Sequence, residues 1–438
     1  MQKRVAIWQR KESKSGMQLI DRVVCPDNLN LAMNRVISNK GNPGVDGMTV
    51  DQLEAHVRQY AKPLIAKIQK GTYQPLPVKR VEIPKENGKK RKLGIPAVRD
   101  RMVQQAIFQV IEPIIDPHFS PNSYGFRPGK NAKQAIKQAA KYYDEGFKMV
   151  VDIDLKSYFD TIPHQKLMNY LEQYIQDPII LKLIWKFLKS GIMIGDNWES
   201  SRNGAPQGGN LSPILSNVYL HELDKELERR GHRFVRYADD FCIYVKSRRA
   251  AERVLLNTTT FLEGTLKLSV NQEKSAIGSP TKRKFLGFCI HKSNNETRCR
   301  PHHASKAKFK AKLKYLTRRN QANSFDYIIL KINQVTTGWI NYYGISYMKS
   351  FINSIKQWLH HRLRQLIWKQ WKKIKTRYKN LMKYGIETEE AWKMANTRKG
   401  YWRASKNETL HKAIKIEKLA GWGLKDMSQL YEHAYSTY

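Results

Sequence analysis

Residues 234–245 read FVRYADDFCIYV, an apolar, strand-like run broken at its centre by two adjacent aspartates, Asp239 and Asp240. Two like charges side by side in a segment that favours burial are unfavourable unless something offsets them, and a cation held between carboxylates is the direct way to do so. The doublet stands where the strand turns back on itself. A hairpin of this kind is local and antiparallel.

A second interrupted run lies upstream. In MVVDIDL (149–155) the apolar residues make a buried strand, and a period of two places Asp152 and Asp154 on one face. Around these strands, RDRMVQQAIFQVIEPIID and LEQYIQDPIILKLIWKFLKSG have helical spacing, and NGAPQGGNLSPILSNVYLHELDKELERRG is a Gly/Pro-rich turn leading into a long helix. Strands and helices in this order, with a local antiparallel hairpin, predict an α+β palm rather than a doubly wound sheet. Further toward the N-terminus, helical patterns flank GNPGVDG, and VKRVEIPKENGKKRKLGIP reads as two short strands around the turn ENGK, crowded with Lys and Arg. A basic hairpin of this kind suits a triphosphate or a template backbone.

The 438 residues are enough for two or three domains, and 78 Lys and Arg against 38 Asp and Glu leave a net charge of +40, which calls for a polyanionic partner, nucleic acid first. Residues 291–438 hold 31 of the basic residues against nine acidic ones, and seven of the ten tryptophans, in an almost entirely helical pattern. Basic residues interleaved with flat rings suit a surface that neutralises phosphates and stacks bases, although for any one tryptophan a place in a helical core is the preferred account. There is no apolar run of about 18 residues and no secretory h-region in MQKRVAIWQRKESKSG, so the expectation is an intracellular protein without membrane insertion. Cys25, Cys242, Cys289 and Cys299 are scattered without a C-x-x-C pair, the pattern of packed thiols rather than a zinc site.

Convergent carboxylates are hard oxygen donors suited to Mg²⁺, and two such ions bridged by Asp side chains catalyse phosphoryl transfer to a hydroxyl with pyrophosphate as leaving group. YADD alone is a weak signal. Together with DIDLKSYFD and GAPQGGNLSP, in this order and spacing, it is a specific one.

From about residue 20 to the end the chain resembles the reverse transcriptases encoded by bacterial group II introns, most closely the compact class without an endonuclease domain. NPGVDG, QPLPVKRVEIPK, SYGFRPGKNAKQAI, DIDLKSYFD, GAPQGGNLSP, YADD, NQEKS and FLGF stand in that family's order, followed by GWINYY, ANTRKGYWRASKN and KDMSQLYEH. The resemblance implies a right-hand polymerase: residues 1–72 an N-terminal extension and the start of the helical fingers, 73–290 fingers and palm, 291–375 a helical thumb or maturase domain, and 376–438 a small basic DNA-binding domain. It implies a two-metal Mg²⁺ site held by Asp154, Asp239 and Asp240. Asp154 rather than Asp152 is chosen because an aromatic, Phe159, follows it by five positions, the place of the ring beneath the incoming sugar. Lys79, Lys85, Arg91, Gln207 and Lys274 resemble nucleotide-contacting residues, Lys274 near the pyrophosphate.

The partners implied are intron RNA, an RNA template with a DNA primer, target DNA and dNTPs, in the bacterial cytoplasm at the nucleoid. The expected function is RNA-dependent DNA synthesis with intron splicing and target-primed mobility. The alternatives are a free-standing reverse transcriptase of DNA repair or phage defence, and an RNA-binding splicing factor without polymerase activity.

Overall fold

In the computed structural model, which describes residues 18–84, 88, 90–206, 208–293, 296–320 and 322–437, the chain divides between Ser279 and Pro280 into two units. In the first, helices Pro26–Ser38 and Leu53–Gln69 flank the NPGVDG loop. Two four-stranded sheets follow. One is formed by β1 (Val78–Pro84), β2 (Lys90–Ile95), β4 (Ile192–Ile194) and β5 (Asn197–Glu199), in the order β2-β1-β4-β5, with β1 and β4 parallel. The other contains β3 (Met149–Ile153), β6 (Arg233–Tyr237), β7 (Asp240–Val245) and β8 (Ala276–Gly278), all antiparallel in the order β6-β7-β3-β8. The strands carrying both aspartate signals are therefore neighbours at the centre of one sheet.

Burial explains that arrangement. Val151 and Ile153 of β3, Phe234 of β6 and Phe241 and Ile243 of β7 are at most 1% exposed, and they share one hydrophobic core with Leu215, Val218 and Leu223 of helix Ser212–Arg229. That helix starts with proline in its first turn, where no amide is needed. Asn131 and Gln134 form a reciprocal capping box for helix Ala132–Asp144 (3.0 and 2.8 Å), and Asp177 accepts from Ile179 and Ile180 to start helix Pro178–Leu188.

The second unit opens with an antiparallel hairpin, β9 (Phe288–Ser293) and β10 (Glu296–Pro301), and continues as helices. One core runs from Phe309 to Ala434, centred on Leu359 and Leu363 of helix Lys349–Gln370. The last helix, Met427–Ser436, is tied to it: the Tyr431 hydroxyl donates to the Ser346 carbonyl (2.9 Å), and Lys356 pairs with Asp426 (3.2 Å). Of the tryptophans here, Trp368 and Trp371 are buried, while Trp392 is 57% exposed, its ring edge-on to Tyr378 (5.9 Å). Among the described residues, no helix is long and apolar enough to cross a membrane.

Candidate active site

The hairpin between β6 and β7 is as tight as a hairpin can be. Tyr237 pairs with Asp240, so Ala238 and Asp239 are its only loop residues. Ala238 has φ +58°, the sign that a II′ turn requires at its first loop position and that glycine usually supplies. A side chain in this region costs roughly 1–2 kcal/mol, so the surrounding structure must hold the turn in place.

β3 pairs with β7 in a register that sets Asp152 opposite Cys242 and Ile153 opposite Phe241. Carried one residue further, it sets Asp154 opposite Asp240. Asp154 thus leaves the sheet beside the turn, half-buried, whereas Asp240 is exposed. The motif NQEKS wraps Asp154 from the other side. The Ser275 hydroxyl accepts from the Asp154 amide (3.0 Å), and the Asn271 amide donates to its carbonyl (2.7 Å). The Asn271 side chain donates to Oδ2 (3.0 Å), and the Lys274 ammonium lies 3.1 Å from the same oxygen.

Asp239 feels these neighbours. Burial, with the Asp154 charge adding to it, holds its carboxyl above the usual carboxylate range, and the positive charges of Arg91 and Arg236 act against this. Asp239, its proton affinity raised by burial and by the Asp154 charge, forms with Asp154 a hard-oxygen donor set at a strand end that a divalent cation relieves, so these residues fit Mg²⁺. As the side chains stand, no three His, Cys, Asp or Glu among the described residues are grouped closely enough to hold a metal ion.

The other predicted residues fall in several places. Phe159 lies in the short helix Tyr158–Thr161, which the chain enters through Ser157 at φ +46°, and its ring is packed edge-on against Tyr158 (5.2 Å). It lines a cleft of about 280 Å³ together with Arg80, Lys92, Ala205 and Pro206. The GAPQGG motif is built against this helix: the Ala205 amide donates to the Phe159 carbonyl (2.7 Å), and a Cβ on Gly204 would stand 2.8 Å from the same oxygen. Gly208, at φ +120°, lies against the Gly94 carbonyl of β2, 2.2 Å from where a Cβ would be.

In the β1–β2 ladder Arg80 is opposite Gly94 and Glu82 opposite Lys92, so Arg80 and Lys92 share one face while Lys79 and Arg91 occupy the other. The face that lines the cleft with Phe159 is that of Arg80 and Lys92, members of the basic hairpin to which the family resemblance assigns no individual role. Arg80 also lies 3.5 Å from Asp160. Lys85 and Gln207 lie outside the described residues, as do most of the ENGK turn and the basic N-terminal stretch. Asp152 stays within β3, opposite Cys242 of β7 and Ala276 of β8.

Comparison with known proteins agrees with this geometry. Residues 83–290 match the family described as reverse transcriptase (RNA-dependent DNA polymerase), and residues 306–385 match the group II intron maturase-specific domain. Protein YkfC of Escherichia coli (strain K12) is 35% identical over 318 residues, covering 63% of this chain and 84% of that protein. The group II intron-encoded protein LtrA of Lactococcus lactis subsp. cremoris is 31% identical over 366 residues, covering 66% of this chain and 60% of LtrA. A central antiparallel sheet with aspartates at one strand end and in the adjoining hairpin defines a right-hand nucleic-acid polymerase. The chain belongs to the group II intron reverse transcriptases, RNA-directed DNA polymerases that carry a maturase domain.

Proposed function

We propose that the chain copies RNA into DNA at Asp154 and Asp239, and that it binds the RNA of a group II intron, promotes its splicing and copies it from a primer in the target DNA. The observation that carries the catalytic part is the meeting of these two carboxylates, one at the end of β3 and one in the β6–β7 turn, with Asp240 beside them. Asp154 and Asp239 would hold two Mg²⁺ ions, with Asp240 as a further ligand; when bound, the ions activate the attacking primer oxygen and neutralise the departing pyrophosphate.

The remaining work falls to side chains. Phe159 carries the sugar, and Lys79, Lys85 and Arg91 bind the triphosphate through charge-assisted hydrogen bonds. Gln207 shapes the pocket at the GAPQGG turn. Lys274, whose ammonium lies 3.1 Å from Asp154, donates a proton to the leaving group. The maturase part rests on the match of residues 306–385 and on the excess of basic residues in the last third of the chain.

The test is primer extension on an RNA template with Mg²⁺, followed by splicing of the flanking intron. Asp154→Asn and Asp239→Asn should abolish extension while RNA affinity stays within about twofold of wild type, because neither carboxylate contacts phosphate. Near-normal extension by either variant refutes the assignment.

A further inference from the structure

The motif SYGFRPGKNA supplies no residue to the reaction proposed above, yet its backbone lies directly against the turn that carries Asp239. The Tyr124 amide donates to the Arg236 carbonyl (2.8 Å) and the Arg236 amide to the Asn122 carbonyl (2.9 Å), so the loop adds a short parallel pairing to β6 at Ser123 and Arg236. Gly125 follows. A Cβ on it would stand 2.2 Å from the Ala238 nitrogen and 2.9 Å from the Tyr237 carbonyl carbon, so only glycine allows this approach.

The turn is also held by the Arg236 side chain. Its guanidinium is fully buried, as is the carboxylate of Asp224 on helix Ser212–Arg229, and the two form a bidentate pair at 2.7 and 2.6 Å. The remaining nitrogen, Nη1, donates to the Asn217 side-chain oxygen (2.9 Å) and to the Ala238 carbonyl (3.0 Å). Asn217 in turn donates to the Gly125 carbonyl (2.8 Å). The turn is therefore held by one closed set of hydrogen bonds that runs from Arg236 through Asn217 to the Gly125 loop and back to β6.

Stability alone is a weak reason to keep this arrangement, because a buried ion pair is commonly matched or bettered by apolar side chains of similar volume. The bond to Ala238 does something an apolar pair does not. The Ala238 carbonyl belongs to the peptide plane that joins Ala238 to Asp239, so fixing that oxygen fixes the direction in which the Asp239 side chain leaves the backbone. Metal ligation tolerates only about 0.5 Å and 10–20° of error in such a direction.

We infer that Arg236, oriented by Asp224 and Asn217, is the positioning residue for Asp239, and that the Gly125 loop clamps the same turn from outside. The inference rests on the reading of Asp239 as a metal-holding carboxylate.

Mn²⁺ binding to the full-length chain, followed by the electron paramagnetic resonance of the free ion, tests it alongside single-nucleotide extension, RNA affinity and a melting curve. The double variant Arg236→Met with Asp224→Leu removes both members of the pair together, and His221, 3.9 Å from Asp224, loses that neighbour in the same step. The variant should melt as a folded protein with unchanged RNA affinity, bind Mn²⁺ at least tenfold more weakly and lose kcat with little change in KM for the dNTP. A folded double variant with Mn²⁺ affinity and kcat within twofold of wild type overturns the inference.

If the double variant gives no melting transition, Gly125→Ala decides, since it presses on the turn from the loop side and leaves every charge in place. Weakened Mn²⁺ binding in that variant supports the clamp, and wild-type binding overturns it. Asp239→Asn is the reference: should it bind Mn²⁺ as wild type does, the metal reading fails first and the inference falls with it.

Discussion

Phe159 is where the geometry makes the sharpest demand. A DNA-making enzyme must reject ribonucleotides, which differ by one hydroxyl, and a merely apolar pocket rejects an added hydroxyl by only about 100-fold. A ring held rigidly under the sugar does better, because overlap of a 2′-oxygen with aromatic carbons is repulsive while the deoxy sugar stays in contact. The structure supplies the rigidity. Phe159 is 9% exposed, its ring is wedged against Tyr158, and its carbonyl is pinned by the Ala205 amide. It is thus a core residue and a cleft residue at once, so Phe159→Ala should have two effects. Loss of a buried ring costs about 3 kcal/mol, the low end for Phe→Ala because a cleft wall relaxes more easily than a closed core; in a unit of this size that lowers the melting temperature by roughly 6–12 °C. The ratio of kcat/KM for dNTP over rNTP should also fall by about 100-fold, roughly 2.7 kcal/mol of lost discrimination. Single-nucleotide extension with each nucleotide, run well below the melting transition, separates the effects. An unchanged ratio in a destabilised protein removes Phe159 from the sugar site.

Two other outcomes follow from the second unit. Lys372, Lys373, Lys375 and Lys379 are exposed; replacing all four by Gln should flatten the slope of log affinity for intron RNA against log salt by about 3, at about 0.7 per phosphate contact, and an unchanged slope shows that they do not touch phosphate. Burial, with the charges of Arg364 and Lys356 adding to it, lowers the pKa of His360 from 6.5 to about 4. The folded state therefore resists a proton that the unfolded chain accepts, stability is lost as pH falls from 6.5 toward 4, and the full loss is about 3 kcal/mol. Melting curves across that range should show the loss in wild type and a flatter profile in His360→Gln; parallel profiles refute the assignment.

Much of the site was legible because it consists of charged residues where apolar ones belong. Asp239, Asp240 and Asp154 each interrupt a hydrophobic strand, and the strands pair as the alternation required. The basic hairpin was readable for the same reason, from period and turn chemistry. What escaped were contacts between segments far apart in sequence. Arg236 stands in the quoted stretch itself, but its importance depends on Asp224 and Asn217, which lie on a segment whose sequence marks only a long helix. The role of Asn271 and Ser275 in holding Asp154 spans more than a hundred residues. β4 and β5, at three residues each, are too short to show a period, and β4 exists as a strand because β1 offers it a parallel edge.

The last third of the chain shows how sequence motifs and folding divide a protein differently. Motifs separate a thumb up to about 375 from a terminal segment beyond it, but the side chains do not sort themselves that way. Leu381, Leu410, Ile414, Met427 and Tyr431 are at most 5% exposed and share one core with Leu359, Leu363 and Trp368. Each large apolar side chain so buried contributes roughly 1.5–3 kcal/mol, and five of them together approach the whole net stability of a typical domain, about 5–15 kcal/mol. Residues 376–438, proposed to contact DNA, therefore complete the folding of the helices proposed to bind RNA. Removing them would unfold the partner function along with their own, so loss of splicing in a truncated chain carries no information about which residues touch which nucleic acid. Substitution of exposed lysines leaves that core intact, and it is the perturbation that separates the two duties.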